Sequence, residues 1–262
     1  MNVDDPPLLR VEELRRSYGG VAAVTGASFD VAEGSMTALI GPNGAGKTTA
    51  FDLISGFVKP HGGSVRFAGS RIDGRAPEDV ARLGLVRTFQ LTRLFRAMSV
   101  LDNLLVAGQQ HPGERLARIV IRPVTAIRRE REIRRRARSL LERFRLDAKA
   151  HELAGSLSGG QGKLLELARV LMTAPRMILL DEPFAGVNPA LTRELLAQIE
   201  EMRAEGVTVL FIEHDLDVVM THAQEVIVMA NGRVIATGPP NQVRRDERVL
   251  DAYLGTTEVE AA

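Results

Sequence analysis

Apolar residues are grouped along this chain in patterns that separate strands from helices. From residue 9 to 31, "LLRVEEL" and "ASFDV" alternate apolar and polar positions, the period of half-buried antiparallel strands. "MTALI" (36–40) is apolar throughout, as in a strand buried on both faces. "KTTAFDLISG" predicts a helix closed by Gly56, and "GGSVRFAGSRI" another short strand pair. From residue 91 to about 175 the pattern turns mostly helical. Strand-like runs return in "RMILLD" and "VTVLFIEH", separated by the helical "ALTRELLAQIEEMRAEG". "EVIVMANGRVIATG" predicts a hairpin, its tight turn made by Asn231-Gly232, residues that accept positive φ. The expected architecture is a single α/β domain with an antiparallel edge. Its core spans about residues 8–90 and 166–255, a helical lobe is inserted at about 91–165, and a short tail follows at 256–262.

Composition narrows the class. The chain has 262 residues, 45% of them hydrophobic, enough to bury a substantial core. It has no cysteine, which excludes disulfides and thiolate metal sites. The start, "MNVDDPPLLR", lacks an apolar secretory region, and the apolar runs are far shorter than a membrane span. A soluble cytoplasmic protein is expected, meeting a membrane only through a partner. Net charge is +1, but residues 115–145 hold twelve Arg, no Lys and three Glu, a block of +9 against −8 elsewhere. Within it, "IRREREIRRRARSLLERF" puts Ile133, Ala137, Leu140, Leu141 and Phe144 on one helical stripe. Glu130 and Glu132 stand four residues before Arg134 and Arg136. An amphipathic helix with a solvated charged face is the first reading. Contact with anionic lipid headgroups is the second, tested by liposome flotation.

The chemistry begins at Gly41-Pro42-Asn43-Gly44-Ala45-Gly46-Lys47-Thr48-Thr49, a full G-x-x-x-x-G-K-[ST] match between a strand and a helix. Its glycines let backbone N–H groups wrap an anion at a helix N-terminus. Lys47 is expected on the β- and γ-phosphates of a nucleotide and Thr48 on Mg²⁺. The second apolar run ends in two carboxylates. Asp181 suits the Mg²⁺ shell, and Glu182 suits the base that poises a water for attack on the γ-phosphate. Three more residues are candidates. Gln90 follows a predicted strand, where an amide suits Mg²⁺ or the attacking water. His214 is placed to bond the γ-phosphate, and Tyr18 to stack on an adenine. Each of the three alone also fits a structural role, so their case rests on company. A second glycine-rich segment, "SLSGGQGK" (156–163), runs into another helical pattern and poses a question: why one chain needs two phosphate cradles.

"GPNGAGKT", "FQ", "LSGGQ", "ILLDEP" and "EHD", in this order over about residues 8–255, resemble the nucleotide-binding subunit of an ATP-binding cassette (ABC) transporter. The resemblance implies a P-loop NTPase core, mostly parallel sheet with an antiparallel β edge and an inserted α-helical lobe. It implies a head-to-tail pair of cassettes, two copies or a copy and a paralogue, with two ATP molecules in the seam. Ser158, Gly159, Gly160 and Gln161 of one subunit then contact the γ-phosphate held by Lys47 of the other. The second cradle serves the partner's nucleotide.

Finer details resemble the ATPases of branched-chain (hydrophobic) amino acid importers: "RTFQLTRLFRAMSVLDNLLVA", "DEPFAGVNP", "FIEHDLDVVM" and "IATGPPNQVRRDERVLDAYLG". In that branch Asn, as at position 188, replaces the usual Asp. That resemblance implies permease subunits in the membrane and, beyond them, an extracytoplasmic substrate-binding protein. Nucleic acid is not expected as a partner. The segment 109–125 lies where such ATPases face their membrane subunits, and a dock or a satellite of the core are equally open there. A lipopolysaccharide-export ATPase and a soluble ABC ATPase of cofactor assembly are the alternatives. Two positions depart from the family pattern, Gly162 and Leu164. Gly162 costs the first turn of its helix about 1 kcal/mol relative to Ala.

Overall fold

The computed structural model describes residues 6–88, 94–108 and 123–254. In chain order these form β1 (Leu9–Tyr18), β2 (Val21–Val31), β3 (Met36–Ile40), α1 (Lys47–Ile54), β4 (Gly62–Phe67), β5 (Ser70–Arg71), α2 (Pro77–Arg82) and β6 (Leu85–Arg87). Three helices follow: α3 (Val100–Gly108), α4 (Pro123–Arg143) and α5 (Gly159–Met172). The chain continues through β7 (Met177–Asp181), α6 (Pro189–Ala204), β8 (Thr208–Ile212), α7 (Leu216–His222), β9 (Glu225–Ala230) and β10 (Arg233–Gly238). It ends in α8 (Pro240–Val243) and α9 (Glu247–Leu254). Two compact units result, one from Met1–Gln90 with Arg176–Ala262, the other Leu91–Pro175. The division falls at Pro175 and not near 165, because α5 is one continuous rod through Met172.

The first unit carries two sheets. The larger has the order β10-β9-β3-β8-β7-β6, parallel throughout except for β10, which pairs antiparallel with β9. Every residue of β3, β7 and β8 is buried, as near-continuous apolar central strands require, with Thr37, Asp181 and Thr208 their buried polar members. The smaller sheet, β2-β1-β4-β5, is antiparallel. Its β1 strand is bulged between Val11 and Leu14, where Glu13 takes a positive φ of 47°. A Cβ on the facing Gly63 would lie 2.4 Å from the Glu13 carbonyl oxygen, so only glycine fits opposite the bulge. Leu9, Leu14, Val24 and Phe67 of this sheet join Phe51 of α1 and Leu39, Leu179 and Leu210 of the large sheet in one apolar core. That core fixes both ends of the segment between β3 and α1.

In the second unit, Ala137, Leu140, Leu141 and Phe144 are buried along α4 and just beyond it, and Ile133 is half-buried, as the stripe predicts. Arg131, Arg134, Arg135 and Arg138 are exposed, and Arg134 pairs with Glu130 at 3.2 Å. Arg136 instead donates to the carbonyl of Leu171 at 2.7 Å, satisfying an acceptor in the last turn of α5. In the first turn of α3, the fully buried Asn103 accepts from Phe95 N–H (3.0 Å) and donates to the carbonyls of Phe95 (3.1 Å) and Ser99 (2.9 Å). A buried amide used on both its oxygen and nitrogen pins the loop that enters the helix.

Candidate active site

Residues 41–49 wrap from the end of β3 into α1, and their shape depends on glycine at two positions. Gly46, the N-cap of α1, has φ 97° and ψ 7°, and a Cβ there would lie 2.3 Å from the carbonyl oxygen of Ala23. Gly41 has φ 149°, and its Cβ would lie 2.0 Å from the carbonyl oxygen of Met229. No side chain caps α1, so the free N–H groups of its first turn face an exposed loop, the geometry that binds phosphate. Lys47 is buried and arches back over the loop, donating to the carbonyls of Gly41 (2.7 Å) and Pro42 (3.1 Å). Burial pulls its pKa below the ordinary lysine value, and the charges of Glu182 and Asp181 oppose that shift. A half-desolvated cation lying over neutral carbonyls is suited to exchange them for anionic oxygens. Thr48 is exposed beside it.

The acidic pair at the end of β7 is split by its surroundings. Asp181 is buried, and Arg87 at the end of β6 donates to its Oδ2 at 2.8 Å while also pairing with Asp52 of α1. Glu182 has φ 48°, a left-handed conformation unusual for glutamate, and its N–H donates to Ile212. Its Oε1 meets Nε2 of His214 at 2.9 Å. With Glu182 ionised, the proton of that bond lies on Nε2, and the imidazole holds the carboxylate in one orientation. Behind them Glu213 is buried and accepts backbone N–H bonds from Phe184 (3.0 Å) and His214 (3.2 Å). Burial pushes its carboxyl up, the backbone bonds oppose this, and the charge of Glu182 adds to the rise.

Lys47 and Thr48 are thus carried by the start of α1, and Asp181, Glu182 and His214 by the ends of β7 and β8 and the residues just beyond them. Among the described residues, no group of three or more His, Asp or Glu side chains could hold a metal unaided. Thr48 and Asp181 offer one hydroxyl and one carboxylate. That donor set fits Mg²⁺, which keeps several waters and shares its other ligands with phosphates. Tyr18 ends β1 and is exposed, with the Arg16 guanidinium 4.7 Å from its ring centre. A stacked base would therefore use the other face. Gln90 lies outside the described residues.

In the second unit Ser158 is the N-cap of α5. Its Oγ accepts from Gln161 N–H (3.3 Å), and the Gln161 side chain accepts from Ser158 N–H (3.2 Å). This reciprocal capping box contributes about 1 kcal/mol, enough to offset Gly162, which is buried and donates normally to Ser158. A Cβ on Gly159 would meet nothing within 4 Å, so the approach to this helix end is open. Asn188 likewise caps α6, accepting from Leu191 N–H at 2.9 Å.

Sequence reasoning missed Arg87, Arg16 and Glu213. Arg87 and Glu213 flank recognised motifs, an arginine two residues before the "FQ" pair and a glutamate just before His214. Their proximity was the available signal.

The model of the family described as ABC transporter matches residues 24–185, and that of the branched-chain amino acid ATP-binding cassette transporter matches 233–259. The high-affinity branched-chain amino acid transport ATP-binding protein BraF of Pseudomonas aeruginosa is 43% identical, over 95% of this chain and 98% of its own length. The corresponding LivG protein of Escherichia coli is 40% identical with the same coverage. A solved nucleotide-free ATP-binding cassette from an ABC transporter superposes with a TM-score of 0.81 at 38% identity, covering 95% of this chain and 99% of that one.

Proposed function

The chain belongs to the ABC transporter family, and we propose that it is the ATP-hydrolysing subunit of an importer for branched-chain or related amino acids. The observation that carries this reading is the placing of Lys47 and its glycine-built loop in one unit with Asp181 and the Glu182–His214 pair. The amino acid class rests on the branch-specific match at 233–259 and on the relatives named above. Among the described residues no helix is long and apolar enough to cross a membrane. In this reading the subunit sits on the cytoplasmic face of the membrane, bound to permease subunits fed by an extracytoplasmic binding protein.

Binding begins as Lys47 gives up the carbonyls of Gly41 and Pro42 for phosphate oxygens, with the loop N–H groups closing round the β-phosphate. Tyr18 offers its free ring face to the adenine. Thr48 and Asp181 would hold Mg²⁺, which supplies charge neutralisation along the phosphates. Gln90 is assigned to the same metal or to the attacking water. Glu182 accepts the proton of the water whose oxygen attacks the γ-phosphorus. The bond to the oxygen bridging the β- and γ-phosphates breaks, and ADP and phosphate leave. His214, hydrogen-bonded to Glu182, keeps the carboxylate aimed and offers its imidazole to the γ-phosphate.

A second cassette completes the site. Ser158, Gly159, Gly160 and Gln161 of that partner present a helix N-terminus to the γ-phosphate, exchanging the internal capping box for anionic oxygens. A charge pair at 4 Å is worth about 1 kcal/mol in water and about 4 kcal/mol at an effective dielectric near 20. Closure therefore strengthens every contact, and hydrolysis releases it. Glu182→Gln tests the assignment: ATP should still bind, turnover should fall at least a hundredfold, and a closed dimer should accumulate on sizing columns with Mg-ATP. A variant that hydrolyses ATP at the normal rate removes Glu182 from the base position.

A further inference from the structure

The β7–β8 ladder ends at the pair Asp181 and Ile212. Just beyond it, Glu182 N–H reaches the carbonyl of Ile212 at 3.1 Å. One residue further on, the side chain of Glu213 joins the two segments again. Its Oε1 accepts the N–H of Phe184 at 3.0 Å, and its Oε2 accepts the N–H of His214 at 3.2 Å. Glu213 is 6% exposed, so both bonds are made away from water. A carboxylate is an unexpected choice there, because burial disfavours an anion and the charge of Glu182 adds to the cost. The two donors account for it. Ionised glutamate offers an acceptor on each oxygen, whereas glutamine offers one oxygen and sets an NH₂ group against the second donor.

Each bond holds one member of the Glu182–His214 pair. Phe184 is the third residue of the turn Glu182–Ala185, closed by Ala185 N–H on the carbonyl of Glu182 at 3.2 Å. Glu182 opens that turn with φ 48°, a conformation that persists only where its neighbours over-determine it. Pinning Phe184 therefore pins the backbone of Glu182. On the other side, His214 lies between Glu213 and Asp215, whose side chain caps α7 through the N–H groups of Asp217 (3.0 Å) and Val218 (3.3 Å). We propose that Glu213 is a positioning residue for hydrolysis, a clamp that sets the spacing between the turn carrying Glu182 and the strand end carrying His214. The side chains of that pair meet at 2.9 Å because their backbones are held at the matching distance. The loop at 41–49 keeps its own contacts, so the clamp acts on turnover and leaves nucleotide affinity alone. The inference rests on the reading of Glu182 as the base.

Glu213→Gln keeps the length and volume of the side chain and withdraws one acceptor. In the full-length chain, kcat for ATP should fall about tenfold to a hundredfold, the effect of displacing a catalytic group by about 1 Å. The Kd for ADP and for a non-hydrolysable ATP analogue should stay within about twofold of the parent. Because the clamp works through His214, adding Glu213→Gln to His214→Ala should cost less than about threefold more. A kcat within about twofold of the parent overturns the clamp. So does a loss carried in full into the His214→Ala background, or one matched by weaker binding, either of which marks Glu213 as structural only. If Glu213→Gln does not fold, Glu213→Asp, which keeps the charge and shortens the reach, is read against the same outcomes. A parent that binds neither nucleotide refutes the ATP site, and a Glu182→Gln variant with normal turnover refutes the base. Both results are distinct from failure of the clamp.

Discussion

Arg87 offers a sharp test of how the carboxylates are held. Its side chain is 8% exposed and reaches Asp181, 4% exposed, on one side and Asp52, 30% exposed, on the other. Arg87→Met keeps an unbranched side chain but removes the guanidinium that lies over the Phe51 and Phe57 rings and strands Asp181 as a buried anion without its arginine. Breaking one partner of a buried pair costs about 3–5 kcal/mol. At about 2–4 °C per kcal/mol for a chain of this size, Tm should fall by roughly 6–20 °C. Urea unfolding of the nucleotide-free protein measures the free energy directly. The double variant Arg87→Met/Asp181→Asn should recover part of the loss, with a coupling of about 0.5–3 kcal/mol. A loss for Arg87→Met below about 1 kcal/mol, the level of an exposed pair, would refute the claim that this arginine neutralises Asp181.

Two further outcomes follow from local geometry. Gly46→Ala should abolish nucleotide binding in calorimetric titration, because its Cβ would clash with the Ala23 carbonyl at 2.3 Å. Gly44→Ala, with φ 77° but open space around it, should retain weakened binding. Asp73 accepts from Val65 N–H (3.1 Å) and Arg71 (2.9 Å). Burial alone would raise its carboxyl, but the Arg71 and Val65 bonds outweigh burial and hold it below the ordinary aspartate value of 3.8. The stability this brings is present above pH 3.8 and lost as pH falls through the lower folded-state value. Asp73→Ala should therefore cost about 1–3 kcal/mol at pH 7, since Val65 N–H is left unpaired, and the gap in Tm between variant and parent should narrow below pH 3.8.

Much of this was legible in the chain because the relevant physics is local. A strand buried on both faces is a near-continuous apolar run, so the β3, β7 and β8 segments stood out. A loop that wraps phosphate needs glycine at fixed offsets before Lys47, and Asn231-Gly232 fixes a hairpin by its φ preferences. What stayed hidden depends on distant partners. Arg87 bridges residues 35 and 94 positions away, and neither neighbour advertises it. Arg136, expected to pair with Glu132, reaches Leu171 because α5 packs beside α4. Ser158 and Gln161 carried the Ser-x-x-Gln pattern of a capping box in plain view, yet drew attention only as phosphate ligands. The capping box is what the structure shows, and the proposed role on a partner's phosphate follows if a helix end that caps itself releases its donors to a stronger acceptor.

The central claim is that no single chain owns a complete ATPase centre, because Lys47 with Glu182 and Ser158 with Gln161 serve different nucleotides. Steady-state hydrolysis per chain, followed over a dilution series alongside sedimentation, tests this most directly. The account predicts a specific activity that collapses as the protein becomes monomeric and returns when cassettes are concentrated or a partner cassette is added. A constant rate per chain, maintained where sedimentation finds only monomer, would contradict it.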